Sequence, residues 1–335
     1  MNAKLLTAGL CGLALVGGTS VTAQETGFTW EGSVEVGIDS TVQADDSAAE
    51  VTDTFLSFEA AFESALSDHI TAFGGLAFES VTDATDNRAF DDLGLYVSEL
   101  GLRFAFGETF VSVGKLSPVF AVAWDAAPGF YGTSLAEDYE LTEMIGVKID
   151  TPLGTGGGAL SFAAFYIDDT ALSSSIGTKR GRNSAATGGV ANTGKFDNVS
   201  LQYSVAFGET TTWIGARHLS AGAGDVSDET GIVAGASHSF GSGFEMIGEI
   251  AHFNGAAGIG DDATYATLGG AYPVQDWMFS ATATLVDTAA DTDSMIAIGI
   301  DRSITDTIEV SFGVARFDVG SEKSTAVGLS TVISF

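Results

Sequence analysis

The chain has 335 residues, with 13 Lys or Arg against 44 Asp or Glu, a formal charge of −31, yet 45% of it is hydrophobic and its mean hydropathy is positive. So acidic a chain repels phosphate backbones, which excludes nucleic acid as a partner, and its apolar fraction excludes a disordered acidic tail. Glycine, with 43 residues, holds about twice its usual share of ~7%, and beyond the first two dozen residues no apolar run of about 18 residues exists to make a helical span.

Residues 1–23 read as a secretory signal peptide: Lys4 supplies the positive end, 5–16 the apolar core and 21–23 a small-residue cleavage site. The single Cys, Cys11, follows Leu10 inside that core, where a lipidation signal wants a small residue, so it is read as incidental. The mature chain, 24–335, then has no Cys and must be held by its hydrogen-bond ladder and its core.

From Phe28 onward apolar residues alternate with polar ones. Phe28, Trp30, Val34, Val36 and Ile38 alternate with Glu31, Ser33, Glu35, Gly37 and Asp39; Leu56, Phe58 and Phe62 alternate with Ser57, Glu59 and Glu63. A period of two predicts strands with one apolar and one polar face. Short turn signals recur at 65–68, 107–108, 152–157, 208–210, 241–243, 273–276 and 305–306. Between them lie longer polar connections at 40–51, 80–92, 116–141, 168–196, 220–229, 255–262, 288–293 and 319–324. Seven short turns alternating with eight long loops join sixteen strands and put both chain ends on the short-turn side. This is the arithmetic of an all-β, antiparallel, up-and-down transmembrane barrel with tight periplasmic turns and long external loops.

If the apolar face meets lipid, every backbone polar group must be paired, which requires a closed sheet. Sixteen strands leave a lumen too wide for side chains to fill, so water fills it and the polar face becomes its wall. The last strand ends at Phe335, with Ile333 and Leu329 on the same face; it resembles the C-terminal signature read by the outer-membrane assembly machinery.

With these features the whole mature chain resembles Gram-negative outer-membrane porins of the general sixteen-stranded type. The resemblance rests on architecture and on 113–115, Val-Gly-Lys, which is similar to the Gly-Arg or Gly-Lys closing the fifth strand of porins. It implies that the third external loop, 116–141, folds into the lumen and narrows it, that the protein is a homotrimer in the outer membrane, and that it meets outer-membrane lipid and lipopolysaccharide. The loop's own apolar run 119–124 and Phe130-Tyr131 point the same way, because an apolar loop needs something to pack on. Facing glycines, Gly101 and Gly114, are expected to leave room for it. In one respect the sequence departs from the family: no strand carries an Arg cluster to oppose the loop acids.

The alternation places Glu31, Glu35, Glu59, Glu63, Glu99, Asp150, Asp301 and Glu309 on the lumen wall, against Arg103 and Lys148; Arg217 lies where alternation is too weak to assign it a face. The loop adds Asp125, Glu137, Asp138 and Glu140. Such a wall concentrates cations and repels anions. Asp83, Asp86, Asp91 and Asp92 lack the ligand spacing of a calcium loop and read as a solvated cluster. Lys179, Arg180 and Arg182 form the only basic run, open to two readings: a contact for lipopolysaccharide phosphates or a mobile loop tip.

Catalysis finds little support. His69, His218, His238 and His252 are scattered, and the Gly-rich 154–158 lacks the Lys of a phosphate loop. The expectation is therefore no enzyme, no cofactor and no metal, but passive diffusion of small hydrophilic solutes with a preference for cations. The rivals are a substrate-specific channel for a nutrient or siderophore and a non-conducting adhesive or structural surface barrel.

Overall fold

The computed structural model describes residues 27–154 and 156–335; the expected signal peptide, with Cys11, lies outside the described residues. In chain order the strands are β1 (Phe28–Ala44), β2 (Thr52–Ser67), β3 (Ile70–Ser80), β4 (Arg88–Ala89), β5 (Leu93–Phe106), β6 (Thr109–Leu116), β7 (Met144–Leu153), β8 (Gly158–Ile167) and β9 (Ile176–Gly177). They continue with β10 (Asn198–Phe207), β11 (Thr210–Leu219), β12 (Glu229–Ser239), β13 (Glu245–Asn254), β14 (Ala263–Val274), β15 (Trp277–Thr288), β16 (Thr292–Thr305), β17 (Ile308–Val319) and β18 (Glu322–Ser334). The two-residue β4 and β9 belong to loops. The other sixteen strands pair antiparallel in sequence, and β18 returns to β1 over Ser33 to Ala44, so the sheet closes on itself without an edge. The seam is sealed at its end by reciprocal bonds between Gly32 and Phe335, both 3.0 Å, and the Phe335 ring packs on Trp30 and Phe58.

The two faces of the staves differ as the alternation predicts. Ile214, Ile232, Ile250, Ile296 and Ile298, on the outer face, are 60–65% exposed. A continuous belt of such side chains would be unfavourable in water by roughly 1.5–3 kcal/mol apiece relative to burial, and is suited to lipid.

At one end the connections are tight: 68–69, 107–108, 154–157, 208–209, 240–244, 275–276 and 306–307. At the other they are long at first, 117–143 and 168–197 above all, but not throughout. The expected long connections 288–293 and 319–324 shrink to 289–291 and 320–321, because the ladders run on to Asp287 with Thr292 and Val319 with Glu322. Gly320 and Ser321, at φ +60° and +65°, make the two-residue turn that fits a twisted hairpin. The long-loop rim therefore falls from deep loops over the first half of the barrel to a bare edge at β15–β18.

Candidate functional site

The segment 117–143 leaves the wall at the end of β6. Gly114, at φ +142°, bends the strand, and a Cβ there would lie 2.3 Å from the Leu100 carbonyl, so no other residue fits. The chain then crosses the barrel interior. Its first leg, including α1 (Ala123–Ala126), packs Phe120, Ala121 and Ala123 against Phe165, Trp213, Val233, Ile247, Ala251 and Phe253 of β8 and β11–β13. Its tip packs Tyr131 against Met295, Ala297, Ala315 and Ala326 of β16–β18. The returning leg holds Ala136 and Tyr139, which rejoin the first cluster.

Polar ties fix each part. The Ala121 N–H donates to Gln202 Oε1 at 2.7 Å, Thr282 Oγ1 donates to the Pro128 carbonyl at 2.7 Å, and the Tyr131 hydroxyl donates to Asp39 on β1. Glu249 on β13 accepts from the Val122 and Ala123 amides, the Tyr139 hydroxyl and the Trp213 indole. Gly269, Gly299, Gly313 and Gly328, on β14, β16, β17 and β18, form the floor beneath residues 128–131. A Cβ on Gly328 would lie 2.1 Å from the Phe130 ring, and one on Gly269 2.5 Å from Pro128. The expected glycine gap is elsewhere and is filled: a Cβ on Gly101 would meet the Phe73 ring at 2.6 Å, so the Gly101–Gly114 pair makes room for that ring and for close backbone, not for the loop.

The register places the sequence-chosen wall residues. Thr29, Glu31, Ser33, Glu35 and Asp39 pair with Glu63, Ala61, Glu59, Ser57 and Asp53 of β2, and Asp39 meets the loop, so this parity faces inward. Across β3 it continues to Glu79, and through a bulge opposite Gly75 to Tyr96, Glu99 and Arg103 of β5. Lys148 and Asp150 share it through Ser112 and Phe110, and Asp301 and Glu309 through Ser311 and Ser303. Arg103 pairs with Glu63 at 2.6 Å, Lys148 with Asp150 at 3.8 Å, and Glu99 accepts the Ser117 amide at 3.0 Å. On the loop, Asp125 sits in α1, Glu137 and Asp138 in the turn Ala136–Tyr139, and Glu140 just after it. Burial pushes the Asp125 carboxyl up to about 6.

Sequence reading put Asp39 on the polar face without giving it a role, missed Asp53, Glu79, Tyr96 and Glu249, and left Arg217 unassigned. Arg217 faces inward, stacks on Phe120 and Phe253 at 4.8 and 4.4 Å, pairs with Glu229 at 2.6 Å and donates to the Tyr139 carbonyl. Its strand reads weakly because both faces are apolar, Trp213 inside and Ile214 outside, which is itself the signal of a wall covered from within.

Where β6 departs, loop 168–197 fills the breach: β9 pairs with Gly94 and Leu95 of β5. Lys115, its side chain fully buried, bonds Glu143 at 2.6 Å and lies 3.0 Å from Asp168. Arg180 stacks on Tyr96 at 3.9 Å and forks onto Glu143. Neither sequence reading of the basic run holds for Arg180, which is committed to the wall. Asp92 and Arg88 approach to 3.7 Å within the acidic stretch 83–92, and no cluster of three or more His, Cys, Asp or Glu able to hold a metal occurs among the described residues.

No family model matches the chain, and no curated protein sequence does. Solved structures do: OprB of Pseudomonas putida superposes with a TM-score of 0.68 over 92% of this chain and 94% of its own, at 9% identity. The chain has the porin fold. An anion-selective porin from Comamonas acidovorans aligns at TM-score 0.61 and 15% identity over 93% of this chain and 100% of its own. The outer membrane channel DcaP of Acinetobacter baumannii aligns at 0.61 and 12% identity, over 92% and 97%. At such identities the likeness extends to the porin fold and not to the charges on its wall.

Proposed function

We propose that this chain is an outer-membrane channel for passive diffusion of small hydrophilic solutes and ions, with a preference for cations. The observation that carries the reading is the charge of the inner wall from β1 to β7. Its inward parity holds Glu31, Glu35, Asp39, Glu59, Glu63, Glu79, Glu99 and Asp150, with Asp53 neutralised by Arg88 at 2.7 Å, against Arg103 and Lys148, and each of those two bases is paired with a carboxylate of the same wall. Arg217, a further inward base, lies beneath the loop and is paired with Glu229, and Lys115 is buried on Glu143 and Asp168. A cation entering this lumen meets net attraction and an anion net repulsion, screened over ~10 Å at 0.1 M salt.

In this reading residues 117–143 are the constriction, and Asp125, Glu137, Asp138 and Glu140 add to its field. The signal peptide is cleaved after export, the last strand with Phe335 is the segment the assembly machinery reads, and the working form is a homotrimer facing lipopolysaccharide. Purified protein added to planar bilayers is the test. Stable single-channel steps without saturation by any one solute are expected. Saturable conduction of one nutrient would replace this reading with a substrate-specific channel, and an absence of steps with a non-conducting surface barrel.

A further inference from the structure

The interior segment is held at many points, and one carboxylate accepts hydrogen bonds from both of its legs. On the outgoing leg the Val122 amide donates to Glu249 Oε2 at 2.7 Å and the Ala123 amide to Oε1 at 3.1 Å. On the returning leg the Tyr139 hydroxyl donates to Oε1 at 2.7 Å, and from the wall the Trp213 indole donates to Oε2 at 2.6 Å. Glu249 is 3% exposed, and it projects from the middle of β13, whose backbone is bonded to β12 and β14 on either side. A carboxylate offers about four acceptor sites, and four donors use them. Glutamine keeps the shape but replaces two acceptor sites with an amide group that faces donors, leaving buried N–H or O–H groups without a partner.

We propose that Glu249 is the positioning residue that sets the aperture: its carboxylate clamps the two legs of segment 117–143 to β13 and so fixes how far the segment stands into the lumen. The inference rests on the channel reading above. Because the carboxylate is enclosed by its donors, it acts on the width of the path and not on the charge that ions meet along the β1–β7 wall. Tyr131 with Asp39 holds the tip independently, so loss of the clamp slackens the legs without freeing the whole segment.

Full-length protein carrying Glu249→Gln, Tyr139→Phe or Gly248→Ala is recorded in planar bilayers, with barrel folding checked by the heat-dependent shift on gels. Glu249→Gln is expected to raise mean single-channel conductance roughly twofold and to add open-channel noise. Tyr139→Phe, which removes only the returning leg's bond to Glu249, gives a smaller rise, and Gly248→Ala, next to Glu249 on the outer face of β13, where the added Cβ would meet only the Leu268 side chain at 3.8 Å, gives none. A purely structural role would lower the melting temperature and leave conductance alone. A folded Glu249→Gln barrel with wild-type conductance and noise overturns the proposal; should that variant fail to fold, Tyr139→Phe indistinguishable from Gly248→Ala overturns it. Wild-type protein that gives no steps at all removes the channel reading itself, a result distinct from wild-type steps that no variant alters.

Discussion

Two arcs of one barrel wall differ in what they face. From β8 round to β18 the inner surface is built to be covered: Phe165, Trp213, Ile247 and Phe253 pack the legs of segment 117–143, and Gly299, Gly313 and Gly328 admit its tip. From β1 to β7 the same inward parity carries carboxylates, with Phe73 tucked beneath Arg103 at 5.4 Å. The backbone is the same antiparallel ladder in both arcs, so the division between loop seat and wet wall is written wholly in side chains. On the proposed function the seat sets width and the wet wall sets charge, and the two should respond to mutation separately.

The largest expected effect comes from abolishing the difference. Deleting 118–138 uncovers the seat and should raise single-channel conductance severalfold, since a sixteen-stranded lumen is otherwise wide and water-filled; unchanged conductance would place the limiting section elsewhere. Next in size is charge on the wet wall. Converting Glu31, Glu35 and Glu59 together to Gln should cut the cation-to-anion permeability ratio severalfold at low salt, each charge near a passing ion being worth about 1 kcal/mol. Converting Asp301 and Glu309, on staves of the covered arc, should do less. Equal effects from the two sets would erase the distinction between the arcs.

A smaller effect separates faces instead of arcs. Gly328→Ala must displace Phe130 and should lower stability by about 1–3 kcal/mol in thermal denaturation. Gly248→Ala, whose Cβ would meet only the Leu268 side chain at 3.8 Å, should be near neutral. Smallest is the titration of Asp125. With its carboxyl raised to about 6, it is neutral at pH 5 and charged at pH 7, so cation preference should rise across that window. The same shift means the folded state holds this proton more tightly than the unfolded chain, so its contribution to stability is full below pH ~4 and lost as pH passes 6. Asp125→Asn should flatten both trends.

Much of the wet wall was legible because it obeys strict alternation: Glu31, Glu35, Glu59 and Glu63 follow from the apolar residues between them. The covered arc was harder to read. Arg217 and Glu249 sit on strands with apolar residues on both faces, where period two fades, and their partners lie 78 and up to 127 residues away in sequence. The glycine floor was misplaced at Gly101 and Gly114 because a glycine in a strand says that something approaches closely without saying what. Loop lengths failed at 288–293 and 319–324, where polar residues such as Thr292 and Glu322 continue their ladders instead of leaving them.

The central claim is that the acidic wall from β1 to β7 sets which ions pass. The reversal potential of the wild-type channel under a potassium chloride gradient tests it most directly. A potential of the sign for potassium permeating faster than chloride, shrinking as total salt rises, is expected; a potential at zero, or of the opposite sign, would contradict this role of the wall.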